Sequence, residues 1–257
     1  MGEGDMANDR LRDALNTTGL TPGDVANDLG VDPKTIERWI TVGRVPYPRH
    51  RHRLAALVRE SEAYLWPDAI PRERRGRIAE SEIVHVYPHR ADVPADLWRR
   101  LFTSARDTVD VLVYSGLFLP EQQPRLLNML RDKATAGARI RILLGDPDCQ
   151  PVAQRGQDEG IGDAMAAKIR NVLSHYRPLA GHDGIDVRLH ATTLYNSLYR
   201  FDNELLVNAH IYSVPASHAP VMHLRRLSGG DLFDTYAEAF NRIWTNAVSA
   251  WPQNEAA

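Results

Sequence analysis

The stretch TPGDVANDLGVDPKTIERWI, residues 21–40, holds two helix starts eleven residues apart, Thr21 before Pro22 and Asp32 before Pro33. A side-chain oxygen at the cap position satisfies an orphan amide of the first turn, and a proline at the first helical position loses nothing by lacking its own N–H. Gly30, between the two segments, can take the left-handed conformation that ends a helix, and Ala26 is small where two helices must cross closely. Val25, Leu29, Val31, Ile36 and Trp39 fall on the inward side of such a pair. The spacing predicts two short helices joined by a tight turn, the second running from Pro33 to Thr41.

These residues resemble the helix-turn-helix of lambda-repressor-like regulators. The resemblance implies double-stranded DNA as partner, with the second helix in the major groove and Lys34, Thr35, Glu37, Arg38 and Thr41 on its outer face. Arg38 is the candidate for a bidentate guanine contact. Between Lys34 and Arg59 the bases are Lys34, Arg38, Arg44, Arg49, Arg51, Arg53 and Arg59, against Glu37 as the only acid. Arg44, Arg49, Arg51 and Arg53 are expected on phosphates, which set register without reading sequence. His50 and His52 alternate with these arginines, whose charge would repel a metal ion, so no metal site is expected. A helical hairpin that docks a protein is the alternative reading.

Outward from this segment, 257 residues suggest two domains of unequal size. The net charge is −2, so binding to a polyanion has to rest on local concentration of charge. Cys149 is the single cysteine, which excludes an internal disulfide and a multi-thiolate zinc site. The amino terminus MGEGDMANDRLRD is acidic and polar, and no apolar run approaches the roughly 18 residues of a membrane span. A cytoplasmic location without membrane contact is the expectation.

Residues 9–66 read as short helices, and the expected division is a DNA-binding domain over 1–66, a linker over 67–80 and an α/β domain over 81–250. The linker expectation rests on WPDAIPRERRGRIAES, residues 66–81, with its two prolines and run of arginines. Beyond it, IVHVY (83–87), VDVLVYSG (109–116), RIRILLGD (139–146) and DVRLHAT (186–192) are short β-rich runs. Amphipathic stretches at 95–105, 124–137 and 163–176 separate them, and strands alternating with helices imply an α/β sheet. The segment SLYRFDNELLVNAHIY, 197–212, predicts two strands joined at Asp202-Asn203, followed by a strand at 221–227 and a closing helix at 231–248.

From about Ser81 to Val248 the chain is similar to one half of the phospholipase D superfamily. There an HxKxxxxD motif supplies a histidine nucleophile, a lysine that neutralises phosphate and an aspartate that orients a histidine. Aligned on the hairpin turn, the motif's aspartate falls on Asp202, its histidine on Tyr195 and its lysine on Ser197, while the following Gly-Ser becomes Ala209-His210. Aligned on His190 instead, Thr192 and Ser197 leave both lysine and aspartate missing, and no HxK occurs in the chain. The resemblance therefore implies the fold without the chemistry: a catalytically degenerate domain that senses or dimerises. Its single-half members pair around the active-site face, which implies a homodimer reading an inverted repeat with half-sites about 34 Å apart.

A retained pocket is expected to gather Tyr195, Ser197, Arg200, Asp202 and His210 around a small polar or phosphorylated ligand. A second polar concentration, GDPDCQPVAQRGQDEGIGDAMAAKIR at 145–170, starts at a strand end and places Asp146, Arg155, Glu159 and Arg170 in or beside a glycine-rich loop, read as a surface loop with a mobile lid as the alternative. Its glycines fit neither a dinucleotide fingerprint nor a phosphate loop, so no cofactor is expected. Asp110 and Asp186 read as solvated strand ends. No HExxH or GxSxG occurs. The enzymatic alternative is a DNA-targeted phosphodiesterase or nuclease using His190 or His210 in an unfamiliar way.

Overall fold

The computed structural model describes residues 7–69 and 79–251. It divides into two compact units, Met1–Glu82 with Arg226–Asp234, and Ile83–Arg225 with Thr235–Ala257. Residues 70–78, most of the segment read as a linker, lie outside the described residues. The span Arg226–Asp234, which the sequence reading put in the α/β part, clusters with the helical unit. Among the described residues no helix is long and apolar enough to cross a membrane.

The helical unit is built from α1 (Asp9–Thr18), α2 (Pro22–Leu29), α3 (Pro33–Thr41), α4 (Pro48–Leu57) and α5 (Glu62–Leu65). Leu11, Leu15, Val25, Leu29, Ile36, Trp39, Leu54, Val58 and Leu65 form its buried core. Two hydrogen bonds from Asn8 tie the chain start to distant helices, one from its backbone to Ile40 O and one from its amide to Leu65 O, both 2.7 Å. The Glu82 carboxylate, wholly buried, accepts the backbone N–H groups of Leu232 and Phe233 at 3.0 and 3.1 Å. Those amides belong to the first turn of a helix, where orphan donors attract a carboxylate. Burial nevertheless raises the Glu82 pKa above the ordinary carboxylate value.

The second unit is an eight-stranded mixed sheet in the order β1-β7-β6-β5-β2-β3-β4-β8. The strands are β1 (Ile83–Tyr87), β2 (Thr108–Leu112), β3 (Arg139–Gly145), β4 (Ile185–His190), β5 (Asn196–Phe201), β6 (Glu204–Ala209), β7 (Val221–Arg225) and β8 (Val248–Ser249). β2, β3 and β4 run parallel, joined by crossovers through α7 (Phe118–Gln122) and α8 (Leu126–Thr135), then α9 (Gln150–Asp158) and α10 (Ala164–Tyr176); β5, β6 and β7 continue as an antiparallel meander. α6 (Ala95–Ser104) precedes β2, and α11 (Leu232–Asn246) follows β7. Successive strand residues point to opposite faces, so Val109 and Val111 on β2 and Ile140, Ile142 and Leu144 on β3 share one face of the sheet and lie together in the core. Trp98 on α6 packs edge-on against Tyr199 at 5.0 Å, and Phe102 against Phe201 at 4.7 Å.

Two expectations are corrected here. Asp110 is not a solvated strand end: it is buried within β2 and receives Arg141 Nε and Nη2 at 2.7 and 2.8 Å. Arg141 in turn lies over the rings of Phe240 and Trp244. A buried carboxylate is tolerated only when paired, and Arg141, its register partner on β3, supplies that pairing. Asp186, by contrast, is partly exposed and pairs with Arg188 at 2.9 Å.

The second correction concerns 145–170, which is not a glycine-rich loop but carries α9 and the start of α10. Gly156 lies inside α9 because a Cβ there would sit 2.2 Å from Gly162 O, so the glycine permits backbone contact between the helix and the turn that follows it. Gly160 and Gly162 have φ of +69° and +50° and form that turn.

Candidate functional site

In the helical unit the local signals of residues 21–40 act as the sequence indicates. Thr21 Oγ1 accepts from Asp24 N at 3.2 Å and Thr21 N donates to the Asp24 carboxylate at 2.9 Å, a reciprocal cap; the Thr21 hydroxyl, donating to the same carboxylate at 2.6 Å, and then that backbone N–H hold the Asp24 pKa below its usual value. Asp32 Oδ1 accepts from Lys34 N at 2.8 Å, and Gly30 has φ of +65°. α3 buries Ile36, Trp39 and Ile40; Lys34, Glu37, Arg38 and Thr41 face solvent and Thr35 is half-buried.

The basic residues then divide by what they touch. Lys34, Arg38 and Arg44 are exposed and make no ion pair among the described residues, and exposed Arg49 contacts only His50, at 3.1 Å. Arg51 differs from the expectation. It donates to Glu62 at 3.2 Å and to Pro46 O at 3.1 Å with about a tenth of its side chain exposed, so it is spent inside the unit and leaves the phosphate-facing set. Arg53, more than half exposed, pairs with Asp28 at 2.8 Å. The Thr41 hydroxyl donates to Glu37 O at 2.7 Å. One residue the sequence reading missed is Tyr47, 75% exposed, which lines an open cavity of about 590 Å³ with Thr35, Arg38, Arg44 and Arg49. An aromatic residue between prolines in a basic run was the available signal.

In the sheet unit a cavity of about 220 Å³ opens beyond the carboxyl end of β2, at residues 113–118, beside the start of β5 and the residue after β6. Ser197 and His210 meet there. The Ser197 hydroxyl lies 2.9 Å from His210 Nε2, while His210 Nδ1 lies 3.1 Å from Leu194 O. A carbonyl only accepts, so Nδ1 carries the hydrogen and Nε2 accepts from Ser197. Burial, followed by the positive charge of Arg155, lowers the His210 pKa to about 4. The Tyr114 ring stacks on His210 at 5.5 Å and its hydroxyl accepts from Leu194 N at 2.9 Å. Arg155 is buried against Glu159 at 2.6 Å and also donates to the Val214 carbonyl. It supports the wall rather than facing the cavity.

The rest of the expected pocket is dispersed. Tyr195 is 81% exposed and lies outside the cavity lining. Arg200 and Asp202 stand at the far end of the β5–β6 hairpin. There the Asp202 carboxylate accepts the backbone N–H groups of Arg106, Asp107 and Thr108, and Arg200 donates to Asp202 O. Alternate residues along a strand share a face, but Ser197 and Asp202 are five residues apart and cannot share an end. Asp146 accepts from Asp148 N at 3.0 Å in the turn after β3 and does not line the cavity. Arg90, Tyr114, Lys168 and Ser217 do line it and were not read from sequence. His190 is buried with Nε2 donating to Val113 O at 3.1 Å and Nδ1 accepting from Thr192 N at 3.3 Å, and burial lowers its pKa. Among the described residues no group of three or more acidic, histidine or cysteine side chains is arranged to hold a metal.

No family model and no curated protein matches the chain. Among solved structures, TrmBL2, an archaeal chromatin protein described with a novel mode of DNA binding, matches at 14% identity over 65% of this chain and 53% of that chain, with a TM-score of 0.40. A phospholipase D family member, Nuc from Salmonella typhimurium, matches at 14% identity over 61% of this chain and 90% of that chain, with a TM-score of 0.36. This chain thus covers about half the length of the archaeal protein.

Proposed function

We propose that the chain is a sequence-specific DNA-binding transcription regulator, cytoplasmic and homodimeric on an inverted repeat, whose sheet unit is a non-catalytic effector and dimerisation module. The observation that carries this reading is α3. One face holds Ile36, Trp39 and Ile40 in the core, and the opposite face presents Lys34 and Arg38 with no internal partner among the described residues. Arg44 and Arg49 extend that positive surface past the helix end. Unpaired cations beside an exposed helix face suit phosphates and base edges.

For the sheet unit, the positions of the nucleophilic histidine and the lysine in the phospholipase D pattern are Tyr195, which points to solvent, and Ser197, which donates to an imidazole. A serine on an imidazole is also a nucleophile and base arrangement, and this observation favours a second reading, a DNA-targeted hydrolase. A base whose conjugate acid has a pKa of about 4 is weak near neutrality, which supports the ligand-binding reading instead. Mobility shift on genomic fragments tests the regulator reading. A shift weakened by salt and lost in Arg38→Ala is expected; absence of any shift at low ionic strength overturns it. Incubation with plasmid DNA tests the second reading, and cleavage lost in Ser197→Ala would establish it.

A further inference from the structure

We infer that the cavity at the carboxyl end of β2 binds a compact oxyanion, held by Arg90 and Lys168, and that this is the effector of the sheet unit. The inference rests on reading that unit as the sensing half of the protein. The guanidinium of Arg90 lies over the Phe118 ring at 3.7 Å, and its Nε is buried with no hydrogen-bond acceptor among the described residues. A ring face attracts the charge but does not accept the in-plane N–H hydrogens, so a buried donor is left unmet at the cavity wall. An arginine fork is suited to a carboxylate or phosphate, which takes two such hydrogens at once.

Lys168 on α10 supplies a second positive head at the same cavity and makes no ion pair among the described residues. The lining contains two carboxylates. Glu159 is neutralised by Arg155 at 2.6 Å, and Glu121 sits exposed at the rim. The unmet buried donor of the wall is therefore Arg90, with exposed Lys168 at the rim like Glu121, and Ser115 and Ser217 add hydroxyls. At about 220 Å³ the space is smaller than the roughly 300–1,000 Å³ usual for drug-sized ligands, which limits the occupant to a compact molecule. Carboxylate and phosphate share the recognising chemistry, and the test separates them.

Isothermal titration of the full chain with inorganic phosphate, succinate and, as a neutral control, glycerol reads the inference directly. Saturable binding of phosphate or of succinate, with none of glycerol, is the expected result, and whichever anion binds names the source. Arg90→Met keeps an unbranched apolar side chain beside Phe118 while removing the guanidinium, and is expected to weaken binding at least tenfold. Lys168→Gln, on an exposed helix face, is expected to weaken it several-fold without affecting folding. Silence toward both anions, equal binding of glycerol, or unchanged affinity in both variants would overturn the inference. A mobility shift on the same samples keeps the two ideas apart: DNA binding without anion binding defeats this inference alone, and anion binding without DNA binding defeats the regulator reading alone.

Discussion

The hydroxyl of Ser197 donates to Nε2 of His210 across the β5–β6 hairpin at 2.9 Å, and this pair forms one wall of the cavity in the sheet unit. Its imidazole is neutral at ordinary pH because burial and Arg155 lower its pKa from 6.5 to about 4.

That depression makes stability depend on pH. The unfolded chain takes up a proton near pH 6.5 while the folded chain resists until about pH 4, so stability from this group is complete above pH 6.5 and is lost as pH falls toward 4. The loss is on the order of 3 kcal/mol. Burial lowers His190 and His223 in the same direction, the latter despite Glu204 at 2.7 Å. Melting temperature measured at pH 7 and pH 4.5 should show a smaller acid loss in His210→Gln than in the parent chain; an identical loss would count against the assignment.

Asp110→Asn leaves Arg141 buried without a full countercharge, and the other charged groups near it, Arg200 at 3.7 Å from Asp110 and Arg139, are both cationic. Breaking a buried pair costs about 3–5 kcal/mol. Urea denaturation should report a loss of that size, and a change under about 1 kcal/mol would show that the pair adds little.

Arg38→Ala and Arg51→Ala should separate cleanly. The first is expected to leave the melting temperature unchanged and to cost about 1–3 kcal/mol of discrimination between operator sequences. The second is expected to destabilise the helical unit by up to about 3 kcal/mol, since among the described residues Glu62 then keeps Ser228 and His52 as its side-chain partners. Calorimetry with competitive mobility shifts reads both, and a stability loss in Arg38→Ala would contradict its exposed position.

Gly156→Ala tests whether the backbone of α9 meets the turn behind it. A methyl 2.2 Å from Gly162 O forces the two segments apart, with a cost of about 1–3 kcal/mol. A neutral effect on thermal unfolding would mean that the turn yields freely.

Local features of this chain were readable because their causes lie within one helical turn or one hairpin. Thr21 and Asp32 cap where their spacing indicates, Gly30 turns left-handed, and Asp202 with φ of +50° closes the β5–β6 hairpin. The apolar faces of α2 and α3 followed from a period of 3.6, and the strands from short β-rich runs separated by amphipathic stretches. Partnerships between distant residues were not readable, because burial and charge pairing depend on what the fold brings alongside. Arg38 and Arg51 look alike in a basic run, yet Glu62 claims one and leaves the other to solvent. Ser197 and His210 share a wall while Tyr195, two residues from Ser197, points outward, and Arg90 and Lys168 reach the same cavity from segments far apart in sequence. Periodicity assigns a side chain to a face, but the neighbour across that face is set by strand order and helix packing, which no short window of residues contains.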